Sequence, residues 1–314
     1  MLAGSSAGIT TNEGGKRAMI QAHGATKRQH ALADLDLKGL PQDRIRDFRS
    51  FMSRIETELL PHPIIVHNAY TEWFLKGDFS PEQLRHFLIQ FSVFSNLFLE
   101  AQLKKVINAP TLEAMRSSKE ILMNELGVVF KGGDRGTAGI KEGPSEVDPE
   151  LVGTNGTVEG SHFRFAAAHI EWLLRMTEQV GVKFSEMGKR KFATPSTRFF
   201  CDELSRLYGS EDPSTALGAS FAVENWAAAG FWKQLIQGLR VYQKQHQPDL
   251  KLAFFLWHDK VEDQHAEHTF IELQEEYFES EVNEERFFVG GKEMLEGVRA
   301  FWDGLDKDRR RSAP

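Results

Sequence analysis

The feature that most constrains the fold of this chain is a long segment that begins at Pro81. Ser80, Pro81 and Glu82 form a typical helix start, with a capping serine followed by proline at the first helical position. Large apolar residues then recur at helical spacing: Leu84, Phe87, Leu88, Phe91, Phe94, Phe98 and Leu99. The segment therefore predicts a long helix in the core of the protein.

Helical patterns recur through most of the chain, whereas the alternation typical of strands is nowhere sustained. One predicted helical segment opens at Pro41 and runs to Leu60. Further helices are predicted over residues 111–126, 161–180, 197–208, 214–243, 248–278 and 289–305. We therefore predict an all-α protein.

The domain organisation follows from two segments that lack helical periodicity. Residues 1–30 are rich in small and polar residues and predict a disordered tail before one helical domain over residues 31–314. Residues 127–160 contain nine glycines and two prolines, which predicts a long loop inserted between two helices. No internal repeat is visible.

Charge and cysteine content exclude several classes of function. A net charge of -7 and a pI near 5.9 supply no basic face for nucleic acid or an anionic membrane. No apolar run approaches the roughly 20 residues that span a bilayer. The single cysteine, Cys201, cannot build a disulfide framework or a thiolate zinc site. We expect a cytoplasmic protein.

The densest group of metal-ligand side chains lies between Trp257 and His268. At about 100° per residue, His258, Glu262 and His265 fall within roughly 60° of one another on one helix face. Asp263 would lie about 100° from Glu262 and outside this face, so Glu262 is the inward carboxylate. Nitrogen and oxygen ligands without a thiolate suit iron or manganese better than structural zinc. The alternative is a solvated, charged helix face.

Four further residues could complete such a site. Glu224 interrupts a run of small and apolar residues, and a buried carboxylate is tolerated when it is paired or binds a metal. His169, Glu125 and Glu100 also lie in helical segments among apolar neighbours. Each has an ordinary alternative: His169 as a hydrogen-bonded core histidine, and the glutamates as surface residues.

These motifs resemble those of the heme-oxygenase-like diiron oxidases and oxygenases. That family shares its fold with thiaminase-related and pyrroloquinoline-quinone-forming proteins, and the resemblance covers about Glu56 to Phe278. It is carried by His62 to Tyr70, SPEQLRHFLIQF, Asn124-Glu125-Leu126-Gly127, His169-x-Glu171, Ala216-Leu217-Gly218 before Glu224, and His258-x3-Glu262-x2-His265. The resemblance implies a heme-oxygenase-like helical bundle of about seven core helices.

The resemblance also implies a site that holds two Fe2+ ions per chain and uses O2 as co-substrate. Its six metal-binding positions correspond to Glu125, His169, Glu224, His258, Glu262 and His265. Glu100 stands where some N-oxygenating members carry an additional carboxylate. The chain departs from the family in two respects: members commonly have Asp at the position of Glu262, and the insertion separates Glu125 from His169 unusually far.

A second ligand set is also consistent with the residues. In the ligand order of ferritin-like four-helix sites, the ligands of this chain would be Glu125, Glu159-x2-His162, Glu224 and Glu262-x2-His265. This set needs neither His169 nor His258. We favour the first set, because the second leaves the in-register His258 unexplained. Both sets predict two irons.

The expected function is an O2-activating oxidase or oxygenase. By resemblance it would act on a small amine or amino-acid-like substrate in a biosynthetic pathway, by N-oxygenation or by oxidative C–H or C–C cleavage. A homodimer is expected from the fold alone. One alternative is a metal-free enzyme of the same fold, either a cofactor-maturing oxidase or a thiaminase-like hydrolase, although Cys201 lacks a recognisable motif. The other is a non-catalytic helical interaction protein.

Overall fold

The computed structural model describes residues 40–130, 156–157, 163–165 and 167–311, with only the backbone of residues 129–130, 156–157, 163–165 and 261–268. The predicted tail, residues 1–30, lies outside these ranges. The chain divides into a first unit that ends at Arg49 and a second that begins at Ser50. The second unit contains every site residue discussed below.

The described chain is built mainly from α-helices. Helix α1 (Gln42–Arg54) continues into a π-helical stretch, Ile55–Leu59, and two short helices follow, α2 (Pro63–Val66) and α3 (Ala69–Phe74). The remaining helices are α4 (Pro81–Ile107), α5 (Leu112–Glu125), α6 (His169–Gln179), α7 (Pro195–Leu207), α8 (Pro213–Ala227), α9 (Phe231–His246), α10 (Ala253–Glu279) and α11 (Glu284–Arg311). Short 3-10 turns at Phe184–Glu186 and Arg190–Phe192 connect α6 to α7. The all-α prediction is confirmed.

Helix α4 begins at the predicted residue. The Gln83 N–H donates to Ser80 Oγ at 3.2 Å, and the Ser80 N–H donates to Gln83 Oε1 at 2.9 Å. This reciprocal pair satisfies two backbone donors at the helix start. Leu84, Phe87 and other apolar residues of the predicted face are fully buried, so α4 is a core helix.

The structure differs from the predicted helix boundaries at two places. The single helix expected over residues 214–243 is divided into α8 and α9 at Gly230, whose φ is +99°. A left-handed residue cannot continue a right-handed helix, and glycine adopts this conformation without a Cβ clash. The helix expected over residues 161–180 begins at His169, because residues before it form a strand.

A short antiparallel sheet lies at the base of the predicted insertion. Its strands are β1 (Val128–Phe130), β2 (Gly156–Thr157) and β3 (Phe163–Phe165), in the order β1-β3-β2. Val128 pairs with Phe165, so the chain leaving α5 runs beside the chain that enters α6. Residues 131–155 and 158–160 of the insertion lie outside the described residues.

Helices α8 and α11 approach closely at glycine residues. A Cβ on Gly218 would lie 2.7 Å from the carbonyl carbon of Phe287, a distance that no packed side chain tolerates.

Among the described helices, none combines the length and the apolar character that a transmembrane segment needs.

Candidate metal centre

Three of the predicted ligands meet at one point in the bundle. Glu125, His169 and His258 each offer one ligand atom, and these atoms all lie within 4.8 Å of one another. The Oε2 of Glu125 is 2.9 Å from Nδ1 of His169, and both side chains are largely buried. The His169 and His258 rings lie edge to face with centroids 4.9 Å apart.

The short sheet explains how residues so far apart in sequence meet. Glu125 is the last residue of α5, and His169 is the first residue of α6. The pairing of Val128 with Phe165 brings these two helix ends together across the insertion. His258 reaches them from the second turn of α10.

The contacts of His169 fit a metal ligand. Its Nδ1 is buried and has no hydrogen-bond partner among the described residues, although a carboxylate oxygen lies 2.9 Å away. Buried ring nitrogens are normally hydrogen-bonded, so this geometry calls for another partner. A cation shared by Glu125 and His169 would supply it. Nitrogen and oxygen donors without sulfur suit iron or manganese.

The backbone and aromatic neighbours hold His258 in one orientation. Its Nδ1 lies 2.6 Å from the backbone oxygen of Phe254, so Nδ1–H donates there and Nε2 keeps the lone pair for a metal. Trp232 stacks on the ring with centroids 4.9 Å apart, and Phe254 packs at 4.2 Å. The ring is therefore held in one orientation and partly shielded from water.

A second aromatic group shields His169. Trp172 stacks on its ring with centroids 4.8 Å apart, and Trp257 packs edge-on against Trp172 at 5.6 Å. Apolar surroundings of this kind lower the local dielectric constant and so strengthen the electrostatic interactions within a site.

Two predicted ligands follow His258 along α10. Glu262 and His265 lie in the same continuous helix, which preserves the spacing on which their prediction depends. Their side chains are outside the described part of the structure. Glu159 and His162, which belong to the alternative ligand set, also lie outside the described residues.

Glu224 and Glu100 are not members of the three-residue cluster. Glu224 lies in the last turn of α8 and interacts electrostatically with the largely buried Lys105. Glu100 is 51% exposed, accepts a hydrogen bond from Ser205 Oγ at 3.2 Å and lies 3.4 Å from Lys104 Nζ. The described structure thus brings three of the seven predicted residues together.

Sequence analysis missed one largely buried charged residue, Lys105, whose side chain is 12% exposed. It follows Ala101 and Gln102 by four and three residues, and both of these side chains are fully buried. Residues at these spacings share one helix face. The sequence therefore indicated that α4 carries a lysine on the helix face that packs against the rest of the protein.

Comparison with known proteins supports the fold and no finer classification. No protein-family model matches the chain, and no curated protein matches its sequence. A domain of unknown function with a heme oxygenase-like fold from Shewanella denitrificans is similar with a TM-score of 0.51 at 14% identity. The similarity covers 88% of this chain and 94% of that one.

A CADD-like protein of unknown function from Nostoc punctiforme is similar in two crystal structures. Their TM-scores are 0.52 and 0.51 at 15% and 14% identity, over 87% and 86% of this chain and 99% of that one. Identities this low show a shared fold alone. The chain therefore has a heme oxygenase-like, all-α fold, as predicted.

Proposed function

We propose that this protein is a non-heme diiron oxidase or oxygenase that uses O2 on a small amine or amino-acid-like substrate. The observation that carries the proposal is the cluster of Glu125, His169 and His258, in which His169 is buried and the other two are partly buried. Two imidazoles and a carboxylate with converging ligand atoms form a donor set suited to iron. Glu224, Glu262 and His265 are proposed to complete the six ligands.

The residues of the chain have two tasks in this proposal. Glu125, His169 and His258 would hold a metal ion, and the Phe254 carbonyl fixes the ring of His258 by accepting a hydrogen bond from its Nδ1–H. Trp172 and Trp232 each cover one face of an imidazole and limit the access of water to it. Iron bound there would supply the electrons that activate O2. The amine or amino-acid substrate and the homodimer are proposed from the family resemblance.

The state of Cys201 argues against a thiaminase-like hydrolase. That chemistry needs a thiolate nucleophile. Cys201 is buried, and burial raises the pKa of its thiol to about 12. The thiol therefore stays protonated at neutral pH.

Anaerobic titration of the purified protein with ferrous iron, followed by rapid mixing with O2, tests the proposal. We expect two irons per chain, consumption of O2 and a transient visible absorption band. His169→Ala should lose one iron, because it removes a ligand of the described cluster. His162→Ala is the matched control and should bind nearly as much iron as the wild type.

Two results would contradict the proposal or its ligand set. Loss of iron in His162→Ala but not in His169→Ala would favour the ferritin-like set. Absence of iron uptake, of O2 consumption and of spectral change would favour a metal-free enzyme or an interaction protein.

A further inference from the structure

All 6 tryptophans of the chain belong to two series of ring contacts that start at the histidines of the candidate metal centre. The short series runs from His169 through Trp172 to Trp257. The long series starts at His258 and contains the other four tryptophans: Trp232, Trp226, Trp302 and Trp73. Core packing alone does not require this arrangement, because the chain has 24 phenylalanines that supply the same apolar bulk.

The inner part of the long series is continuous in space. Trp232 stacks on His258 with ring centroids 4.9 Å apart. Phe231 lies between Trp232 and Trp226, at centroid distances of 4.5 and 4.6 Å. Trp302 follows Trp226 at 6.3 Å. Each of these steps is therefore a direct aromatic contact.

The outer end of the long series reaches the protein surface. Tyr70 lies 5.6 Å from Trp302 and 5.3 Å from Trp73, measured between ring centroids. Trp302 and Tyr70 are buried, whereas Trp73 is partly exposed. Arg309 lies over the Trp73 ring, and its charge is balanced because its Nε–H donates to Asp306 at 2.7 Å. The series thus connects the candidate metal centre to solvent.

The chemistry of indole suits such a series to electron transfer. Tryptophan is among the side chains that lose one electron most readily, whereas phenylalanine resists oxidation. Electron tunnelling falls steeply with distance, so rings in contact exchange electrons faster than rings separated by aliphatic side chains. The four tryptophans are the carriers in this series, and Phe231 and Tyr70 are the rings between them.

The indole N–H groups of two buried carriers fit the same role. Nε1 of Trp226 and Nε1 of Trp302 are buried and have no hydrogen-bond partner among the described residues. Buried indole N–H groups usually have one. Loss of an electron makes an indole N–H strongly acidic, but without an acceptor the proton stays on the ring. The oxidised ring therefore remains a radical cation, which a neighbouring ring reduces without any proton transfer.

We propose that the long series carries single electrons from the protein surface to the candidate metal centre. Trp232 gives one electron to an O2-derived oxidant at the centre, and electrons from Trp226, Trp302 and Trp73 refill the series in turn. A thiol in solution then gives one electron to Trp73 and one proton to solvent, and two thiyl radicals combine to a disulfide. In the absence of substrate, this route removes an oxidant that would otherwise attack the protein. The role at the centre rests on the proposed function, whereas conduction by the series does not.

Conduction is tested in the metal-free, full-length protein. Lys76→Cys introduces an attachment point for a ruthenium tris-bipyridine photosensitiser at an exposed residue three positions after Trp73, while the native Cys201 is buried. A laser flash with persulfate as quencher oxidises Trp73, and transient absorption distinguishes the indole radical cation from the deprotonated neutral radical. We expect the radical cation, because the electron hole moves to buried rings that lack a proton acceptor.

Trp302→Phe interrupts the series and should leave only the neutral radical of Trp73. The matched control is Trp257→Phe, which removes a tryptophan of the short series and should behave like the Lys76→Cys parent. Trp226→Phe serves as the second variant if circular dichroism shows that Trp302→Phe folds poorly. A radical that stays neutral in the parent, or equal yields of radical cation in the parent and in both interrupted variants, would overturn the proposal.

The connection to the centre is tested by mixing the iron-loaded protein with O2, without substrate or thiol and with catalase to remove free peroxide. Peptide mass spectrometry should find oxidised Trp73 in the wild type. In Trp302→Phe this oxidation should be lost and appear at Trp232 or Trp226 instead. Unchanged oxidation of Trp73 in Trp302→Phe would identify a diffusing oxidant and refute the connection. Conduction in the flash experiment without iron uptake would refute the proposed function, and with it the role at the centre, but not the conduction.

Discussion

Replacement of Gly218 by alanine tests how closely α8 and α11 must approach. The new methyl group would lie 2.7 Å from the carbonyl carbon and 2.9 Å from the Cα of Phe287, and closer still to its oxygen. These are backbone atoms of a helix, so they cannot rotate away as a flexible side chain would. The two helices would have to separate.

The steric clash lowers the stability of the variant, whereas the higher helix propensity of alanine raises it. A separation of up to about 1 Å forfeits roughly a quarter to a half of the dispersion attraction across the contact. Overpacking of this kind typically costs about 1–3 kcal/mol. Alanine recovers at most about 1 kcal/mol through its higher helix propensity. We therefore expect Gly218→Ala to lower the free energy of unfolding by about 1–2 kcal/mol.

Urea unfolding followed by circular dichroism at neutral pH measures this difference. Gly297→Ala is the matched control, because this buried glycine also lies within a helix and its Cβ would meet a side-chain atom, Glu203 Cβ, at 3.2 Å. Relief of this contact needs only a few tenths of an ångström, and alanine gains the same helix propensity, so the control should lose much less stability than Gly218→Ala. If Gly218→Ala is as stable as the wild type, or if the control loses as much, the backbone-clash argument is refuted.

Two further predictions concern helix caps. Ser80→Ala removes the reciprocal cap of α4 and should lower the free energy of unfolding by about 1 kcal/mol; an unchanged urea midpoint would contradict this. For Asp212, burial acts to raise the pKa, but its hydrogen bonds with Thr215 and Arg286 hold that pKa below its ordinary value of 3.8. A depressed pKa stabilises the fold above the ordinary value, and this contribution is lost as the pH falls through the folded-state value. The stability difference between wild type and Asp212→Ala should therefore be constant near neutral pH and shrink below pH 3.8, whereas a difference that persists in acid would count against the reasoning.

Local signals in the sequence predicted the helices and the ligand face proposed for α10. The start of α4 was predictable because a capping box and an N-terminal proline act within one turn. The spacing of His258, Glu262 and His265 places them on one helix face for the same reason, since helix geometry depends only on neighbouring residues. The heme oxygenase-like fold was predictable from such motifs taken together.

The tertiary structure alone decided which distant residues meet. Glu125 and His169 are separated by the whole insertion, and only the pairing of β1 with β3 brings their side chains to 2.9 Å. Packing between distant elements also leaves Glu100 exposed and places the largely buried Lys105 against Ser220 of α8 and Glu272 of α10. Periodicity shows which residues share a helix face. Whether that face meets solvent, a carboxylate or a neighbouring imidazole depends on packing between elements far apart in the chain, which no local pattern encodes.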